Sequence, residues 1–561
     1  MKSLSDQRIS REEVRGGVRI VPLGGMGTVT RNMFVYETDS QILLVDCGIG
    51  FPEYAAYGID ILLPDISYLE DKREKIVGML LTHGHDDHIA GLPYILPQLP
   101  PFPIYTSKLT GGFVLDRCKD FEVAVDIREL PDGEFRVGEF AILPIKVTHS
   151  IPDGRHFVIA ANGSTIYHGA DFKFDSQPVD GVRSDLDRIR QAGEKGVTLL
   201  LSDCLRAERK GTSASESRIR ATLEREIKTA RGKFIVTVMS SNIHRIQQAI
   251  DVMEADGRTV AFLGRSIEQN VVTAARLGFL RLPKQIVNKR KIGKIPAKKL
   301  GVVIAGSQGQ EGSSLVRASV EEHELIEIKP EDKVVFSTEP IPGRELDVNR
   351  AIDNIARLGA DLAYSDADDE MHVSGHASAE EIKELIRLSR PRFLAPIGGS
   401  FRHMRRFWML AAELGYQPDQ VFLWENGQTL VVKGNEVTWG KEVKLAEVAV
   451  DGLGIGDVGA VVLADRKRMA ENGIVEILIL VDAKRRQVIG EPEVVTRGLV
   501  YVKQSKALLK LIAEETKRGL PRAVTNEQWG KVKSGLEKRI ADFIYTEIQR
   551  EPLILPVIRQ V

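Results

Sequence analysis

The sequence predicts an α/β chain of several domains: a strand-rich body, a doubly wound parallel sheet inserted into it, and a small α/β domain at the C-terminal end. Three observations carry this. The 561 residues exceed what one hydrophobic core organises. Up to about residue 206, short apolar runs in strand pattern follow one another with few long helices between them. From about Lys233 the texture changes to regular strand–helix alternation, which argues for a parallel sheet with helices on both faces.

In the first region strands are expected at Val18–Pro22, Asn32–Thr38, Gln41–Asp46, Ile76–Thr82, Phe140–Thr148, Ser164–His168 and Thr198–Ser202. The alternation then runs through Phe234–Ser240, a helix near Asn242–Ala255, Thr259–Leu263, a helix from Ser266, Gly301–Ala305, Lys333–Thr338 and a helix over Glu345–Leu358. An amphipathic helix over Ala379–Leu388, a strand at Arg392–Pro396 and a strand pair within Val421–Thr438 return to the first texture. Residues 376–440 therefore complete the body that 1–206 begin, and 207–375 are the insert. Residues 441–459 read as a linker. Its DGLGIGDVG run (Asp451–Gly459) is rich in glycine but lacks the strand-then-helix context of a nucleotide fingerprint. In 460–561, strands at Ala460–Leu463, Ile474–Val481 and Gly498–Val502 precede long helices at Ser505–Lys517 and Asn526–Gln549.

The hydrophobic fraction of 43% and charged fraction of 28% are those of a globular protein. The longest apolar runs, Ile474–Val481 and Leu300–Ala305, fall far short of the roughly 20 residues of a spanning helix. Residues 1–15 are polar and carry no leader pattern. Cys47, Cys118 and Cys204 are too scattered for a disulfide framework, which fits a cytoplasmic enzyme. With 77 basic against 78 acidic residues the chain is no general electrostatic binder of nucleic acid. A polyanion must be held locally. Two basic stretches are available, Lys289–Lys299, which reads as a solvated face, and Arg402, Arg405 and Arg406 in FRHMRRF.

One motif carries the chemistry. The run Ile76–Thr82 ends in His83-Gly84-His85-Asp86-Asp87-His88. His83 and His85 project to the same side of an extended segment, as two ligands of one ion must. Asp87 and His88, beyond the turn, reach a second ion beside the first. An exposed polar turn is the alternative, but three of the chain's 11 histidines packed behind one apolar strand favour a metal site. Further ligands are expected at other strand ends: His149 after Phe140–Thr148, and Asp171 after Ser164–His168. A carboxylate there can bridge two ions about 3.5–4 Å apart. His168 competes with Asp171, though its place within the strand suits a structural role.

HGHDDH, THSIPD (Thr148–Asp153) and GADFKFD (Gly169–Asp175) resemble the metallo-β-lactamase superfamily. PLGGMG (Pro22–Gly27), YGIDILLPD (Tyr57–Asp65), SNIHRIQQ (Ser241–Gln248), GRS (Gly264–Ser266), GSQGQ (Gly306–Gln310), IPG (Ile341–Gly343), HVSGHAS (His372–Ser378), NG (Asn426–Gly427) and DGLGIGDVG make nearly the whole chain similar to its β-CASP branch, and there to ribonuclease J. The resemblance implies an αββα metallo-β-lactamase sandwich with a β-CASP insert. It implies a zinc-dependent nuclease of bacterial rRNA processing and mRNA decay, both a 5′–3′ exonuclease and an endonuclease. The substrate is single-stranded RNA, preferably 5′-monophosphorylated. Two Zn2+ are expected, with Mn2+ or Mg2+ as substitutes: His83, His85 and His149 on one ion, Asp87 and His88 on the other, Asp171 between them. His376 corresponds to the active-site histidine of the insert side and, with Asp87, is assigned to catalysis. His372, Val373, Ser374 and Gly375 resemble the phosphate grip, with Ser240, Ser241 and Asn242 adding donors. Gly58, Asp60 and Asp451 resemble a structural cation site, suited to Ca2+. A homodimer or homotetramer, partners in an RNA-decay complex and no membrane attachment complete the expectation.

Simpler roles stand beside these. Ser378 can cap the helix beginning at Ala379, Ser240–Asn242 can cap the helix that follows them, and GSQGQ can serve turn geometry alone. The sequence also departs from the family. Position 398, where a histidine within PxHGE is expected, is glycine in Pro396-Ile397-Gly398-Gly399-Ser400, and Thr28-Val29-Thr30-Arg31 lacks the usual acidic residue and glycine. The second ion then binds with an extra water, binds weakly, or takes another donor, His403 being the histidine near in sequence. A scaffold paralogue with weakened catalysis and a small-molecule hydrolase of the same superfamily are the competing readings. Intact primary ligands oppose the first and the alternating insert opposes the second.

Overall fold

The computed structural model describes residues 16–52, 58–287, 289–451, 454–455, 460–485, 487–499, 506–521 and 529–561. They form two bodies, one of residues up to 51 with 62–448, the other of 52–61 with 449–561.

The first body contains a sandwich. One sheet has eight strands in the order Glu436–Trp439, Leu430–Lys433, Val18–Gly24, Met33–Glu37, Ile42–Val45, Ile76–Leu80, Pro103–Thr106 and Asp126–Glu129. The other has six, Phe393–Ile397, Leu199–Asp203, Ser164–Gly169, Gly154–Ala161, Phe140–Val147 and Phe135–Val137. Phe34, Tyr36, Leu43 and Val45 of the first share one core with Phe140, Ile142, Phe157 and Ile166 of the second. The Leu186–Lys195, Ala379–Ser389 and Phe401–Glu413 helices cover the second sheet with Ile189, Ile382, Leu385, Met404 and Phe407. Strand Leu199–Asp203 pairs in parallel with both Ser164–Gly169 and Phe393–Ile397, so segments far apart in sequence deliver their C-terminal ends side by side.

The alternating region folds as a five-stranded sheet, Thr259–Leu263, Leu300–Ile304, Phe234–Thr237, Lys333–Phe336 and Asp361–Ala363, parallel throughout. It has its own core around Ile235, Val302, Val334 and Phe336. Between it and the sandwich lies a helix that the sequence reading lacked, Lys108–Asp120. Its glycines lower helix propensity. Here they serve packing, because a Cβ on Gly112 would stand 2.6 Å from Leu277 of the Arg265–Leu277 helix.

The second body carries the strands Val488–Arg497, Ile474–Val481 and Leu553–Gln560, with the Lys506–Gly519 and Trp529–Ile548 helices packed through Ile512, Leu536, Ile540 and Ile544. One expectation is corrected: Ala460–Leu463 is not a strand but the first turn of the Ala460–Asn472 helix. Val461 is 74% exposed, and the helix formers after Leu463 carry the apolar run into a helix. Within DGLGIGDVG, residues 452–453 and 456–459 lie outside the described residues, as do 1–15, Tyr57, 500–502 of the expected Gly498–Val502 strand, Ser505, and 526–528 of the last helix. Among the described residues, no helix is long and apolar enough to cross a membrane.

Candidate metal centre and cleft

The strand Ile76–Leu80 runs parallel between Ile42–Val45 and Pro103–Thr106, and the chain leaves it directly into His83–His88, with Asp86–Ile89 as a single helical turn. The rings of His83 and His85 lie 5.0 Å apart, those of His83 and His88 4.0 Å, and His149 is 4.9 Å from both His83 and His85. His376 stands 5.0 Å from His149 on the far side.

Asp171 organises these rings. Its Oδ2 lies 3.7 Å from His83 Nε2, 3.5 Å from His88 Nε2, 3.7 Å from His149 Nε2 and 3.8 Å from His376 Nε2. Among the described residues, donor atoms close enough to share an ion occur in three groups: His83, His85 and His149; His83, His88 and Asp171; His149, Asp171 and His376. Buried His83 Nε2 has no hydrogen-bond partner among the described residues. A buried ring nitrogen without a partner is costly unless something else binds it, and an ion among these donors fits.

Outer partners fix the rings. His88 Nδ1–H donates to Asp46 at 2.7 Å, and Asp46 also accepts from Thr82 N and Oγ1 at 2.8 Å each. His149 Nδ1–H donates to the Gly375 carbonyl at 2.8 Å. The remaining Nε2 of His149 is the nitrogen available to a metal, and coordination at His88 Nε2 displaces the Asn32 amide 3.1 Å away; such partners orient ligands and raise their basicity. His85 has Ser241 Oγ at 2.7 Å from Nδ1 and Ser150 Oγ at 2.6 Å from Nε2, so coordination at either nitrogen displaces one serine. Burial first, then neighbouring imidazoles, holds His83 and His149 well below the ordinary histidine range. Burial brings His85 down to about 3. Neutral imidazole is the form that coordinates.

The opposite edge is charged differently. Burial works against an imidazolium at His376, yet Asp203 and Asp171 hold it up to about 9. His376 Nδ1–H donates to Asp203 Oδ2 at 2.8 Å. Burial pushes the Asp203 carboxyl up, and pushes Asp87 up to about 6. Burial also opposes charge on Asp171, but His376 and His88 keep its carboxyl well below the usual range.

Gly398 enters beside this edge at φ +67, and a Cβ there would lie 3.7 Å from Asp203 and 3.9 Å from Asp171. Its N–H donates to Gly25 O at 3.2 Å, and Met26 bridges to Gly399, which seats PLGGMG beneath the glycines. His403 is turned away. Its Nδ1 accepts from Ser400 N at 3.2 Å in a reciprocal cap, and its Nε2 faces Glu208 at 3.6 Å. His168 is a core residue, with Nδ1 2.8 Å from Tyr36 Oη.

The expected phosphate-grip residues line one edge but are partly engaged. Asn242 caps its helix by accepting from Arg245 N, Ser241 meets His85, and Ser374 Oγ accepts from His376 N. Ser240 offers its carbonyl to Asn270 Nδ2. Ser378 forms a capping box with Glu381. Gln308 of GSQGQ ties down Thr338, Glu339 and Ile341, a structural job. In the second body the Arg466 guanidinium pairs with Asp451 and its Nη1 would lie 3.2 Å from a Cβ on Gly58, while Asp60 N–H donates to Val450 O at 3.0 Å. Three residues of the centre were missed from sequence: Asp46, Asp203 and Asn32, whose Nδ2 lies 3.1 Å from His88 Nε2. Asp46 and Asp203 end apolar strands as His83 and His149 follow theirs, a signal within reach.

The chain matches the pattern described as ribonuclease J, beta-CASP domain, over residues 231–355, and the ribonuclease J C-terminal domain over 461–561. The metallo-beta-lactamase superfamily pattern matches 26–169, and that of a Zn-dependent metallo-hydrolase RNA specificity domain matches 369–422. It is 33% identical to ribonuclease J2 of Bacillus subtilis over 550 residues, covering 97% of this chain and 99% of that protein. The chain belongs to the ribonuclease J family. Ribonuclease J of Thermus thermophilus is 38% identical over 551 residues, 96% of this chain and 95% of that one. A solved structure of a protein of unknown function from Enterococcus faecalis shares the fold at a TM-score of 0.51 and 16% identity, covering 74% of this chain and all of the other. Family membership fits the centre, whose carboxylate among four imidazoles is an arrangement for metal-dependent hydrolysis.

Proposed function

We propose that this protein is a metal-dependent ribonuclease of ribonuclease J type that cuts single-stranded RNA internally and degrades it 5′ to 3′ from a monophosphorylated end. The observation that carries the reading is the single Asp171 oxygen 3.5–3.8 Å from four ring nitrogens beside the unpartnered His83 Nε2. His83, His85 and His149 would hold one zinc, Asp87 and His88 the other, with Asp171 offering its carboxylate to both. The ions supply Lewis acidity at the attacked phosphodiester and a lowered pKa for water.

The rest is done by the chain. His376, kept protonated by Asp203, protonates the leaving oxygen or steadies the charge that develops on it. His372, Ser374 and the backbone of 373–375 position the phosphates with Ser240, Ser241 and Asn242, without reading sequence. Gly398 has no donor, so the Asp87–His88 side is one protein ligand short and its ion is the more easily lost. The free, buried cysteines Cys47, Cys118 and Cys204 suit a cytoplasmic enzyme of RNA processing and decay. The assembly is a homodimer or homotetramer.

Purified full-length protein supplied with Zn2+ or Mn2+ is expected to shorten 5′-monophosphorylated single-stranded RNA, and Asp87→Ala to abolish this. Protein that binds metal and RNA yet leaves RNA uncut, while Gly398→His restores cleavage, would overturn the active-enzyme reading in favour of an RNA-binding paralogue.

A further inference from the structure

We propose that Arg245 is a positioning residue that locks His372 as a neutral imidazole with its proton on Nε2 and sets the height of the 372–376 segment over the metal centre. The inference rests on the phosphate-grip role proposed for His372 and gives that role a chemical form.

Arg245 is 1% exposed, one of the largest fully buried side chains of the protein. All of its guanidinium is spent. Nε and Nη2 donate to the two carboxylate oxygens of Glu216 at 2.8 and 2.7 Å, Nη1 donates to Ser337 O at 2.8 Å, and Nη2 donates to Val373 O at 2.9 Å. The remaining contact is Nη1 to His372 Nδ1 at 2.9 Å. A guanidinium has no acceptor, so Nδ1 of His372 must present its lone pair and the ring proton must sit on Nε2. Burial first, then the positive charges of Arg245, Arg206, Lys173 and His376, disfavours a second proton on His372; the Glu216 carboxylate is taken up by Arg245.

The segment itself is built for display. Val373 and Gly375 are buried while His372, Ser374 and His376 are partly exposed, so burial alternates along the segment. The carbonyls of the two buried residues are the anchors. Val373 O accepts from Arg245, and Gly375 O accepts from His149 Nδ1. Glu216 closes the circuit, because its N–H donates to Asp175, whose own N–H donates to Thr148 Oγ1 next to His149. One buried ion pair thus joins the insert, the grip and the metal-ligand loops. A neutral Nε2–H donor holds a phosphate without the tight grip of an imidazolium, which suits an enzyme that must release and advance its substrate.

The decisive measurement uses full-length protein with isotope-labelled histidine, in the absence of RNA, with the His372 resonance assigned by its loss in His372→Gln. The expected result is the Nε2–H tautomer with no titration between pH 5.5 and 8. An Nδ1–H tautomer, or titration near pH 6.5, overturns the proposal. The second measurement is RNA binding by Arg245→Met/Glu216→Gln, which removes both charges of the pair together, in an Asp87→Ala background at fixed salt. Freed from Arg245, His372 titrates, and affinity becomes roughly fivefold tighter at pH 5.5 than at 7.5, against a flat Asp87→Ala parent. An equal loss at every pH marks Arg245 as merely structural. Because the first measurement needs no RNA, absence of nuclease activity would remove the proposed function and leave the tautomer standing, and the reverse also holds.

Discussion

On one side of Asp171 stand His83, His85 and His149, three buried imidazoles with a shared focus. On the other stands His88, with Asp87 Oδ2 3.6 Å from its Nε2, while Gly398, beside Asp203 and Asp171, offers only backbone. Both sides are equally well braced. Thr82 Oγ1 lies 3.0 Å from His83 Nδ1, Gly375 holds His149, and Asp46 holds His88 just as firmly. The sides differ in the number of donors, not in their order. Ordered ligands reduce the ordering cost of binding, so on the proposed assignment a missing donor would lower affinity for the ion on the His88 side.

The comparison breaks first at the residue both sides share. Asp171→Ala is expected to lower RNA cleavage by on the order of 10^3-fold or more and to lower the metal content of both sites, read by elemental analysis beside an activity assay. Retention of both ions in that variant would show that the four imidazoles alone suffice, and the shared carboxylate would lose its place in the mechanism.

Gly398→His tests the missing donor directly. The space is open, with the nearest atoms 3.7 and 3.9 Å from the new Cβ, but φ is +67. A left-handed backbone costs a non-glycine residue about 1–2 kcal/mol. The expected outcome is a lower melting temperature together with at least about tenfold slower loss of the second ion to a chelator. Equal loss rates in the two proteins would mean that the site is already complete.

A smaller effect concerns protons. The folded protein holds His376 up to about 9, above its ordinary range, because Asp203 and Asp171 overcome burial. The protonated form therefore persists through neutral pH and is lost as pH rises through about 9. In metal-free protein its contribution to stability is fully present below about 6.5 and disappears over the same rise. In metal-free protein Asp203→Asn removes the nearest charge, so the alkaline limb of the His376 titration, followed by NMR of labelled histidine, should move to lower pH by about one unit. An unmoved limb would assign that ionisation to another group.

Legibility from sequence follows the same physics. His83, His85, Asp87, His88, His149 and Asp171 could be placed because each follows an apolar strand, and strand ends converge at one edge of a sheet. Asp203 and Asp46 escaped because a single aspartate after an apolar run has many bland explanations until a histidine from elsewhere is seen beside it. The pairing of Leu199–Asp203 with Phe393–Ile397 spans nearly two hundred residues, beyond any local pattern. The alternating insert was plain from its period. The Lys108–Asp120 helix was hidden by glycines that helix packing requires. Ala460–Leu463 misled because a four-residue apolar run carries no period of its own.

The smallest expected effect bears on whether the asymmetry is real or is repaired by a neighbour. His403 is five residues beyond Gly398, and a shift of its ring toward the cluster would restore a donor. Its present contacts oppose that. Nδ1 is a partner of Ser400 in a reciprocal cap, and Nε2 points to Glu208 at 3.6 Å. His403→Gln replaces the imidazole with a side chain that serves the same third helical position in a capping box. It should leave metal content unchanged and stability within about 0.5 kcal/mol of the parent, whereas His403→Ala should cost about 1 kcal/mol through the lost cap, again with metal unchanged. Both are read by elemental analysis and thermal melting on the same samples. Loss of one ion from His403→Gln, with its melting behaviour preserved, would identify His403 as the replacement donor, and the two sides of Asp171 would then be equal after all.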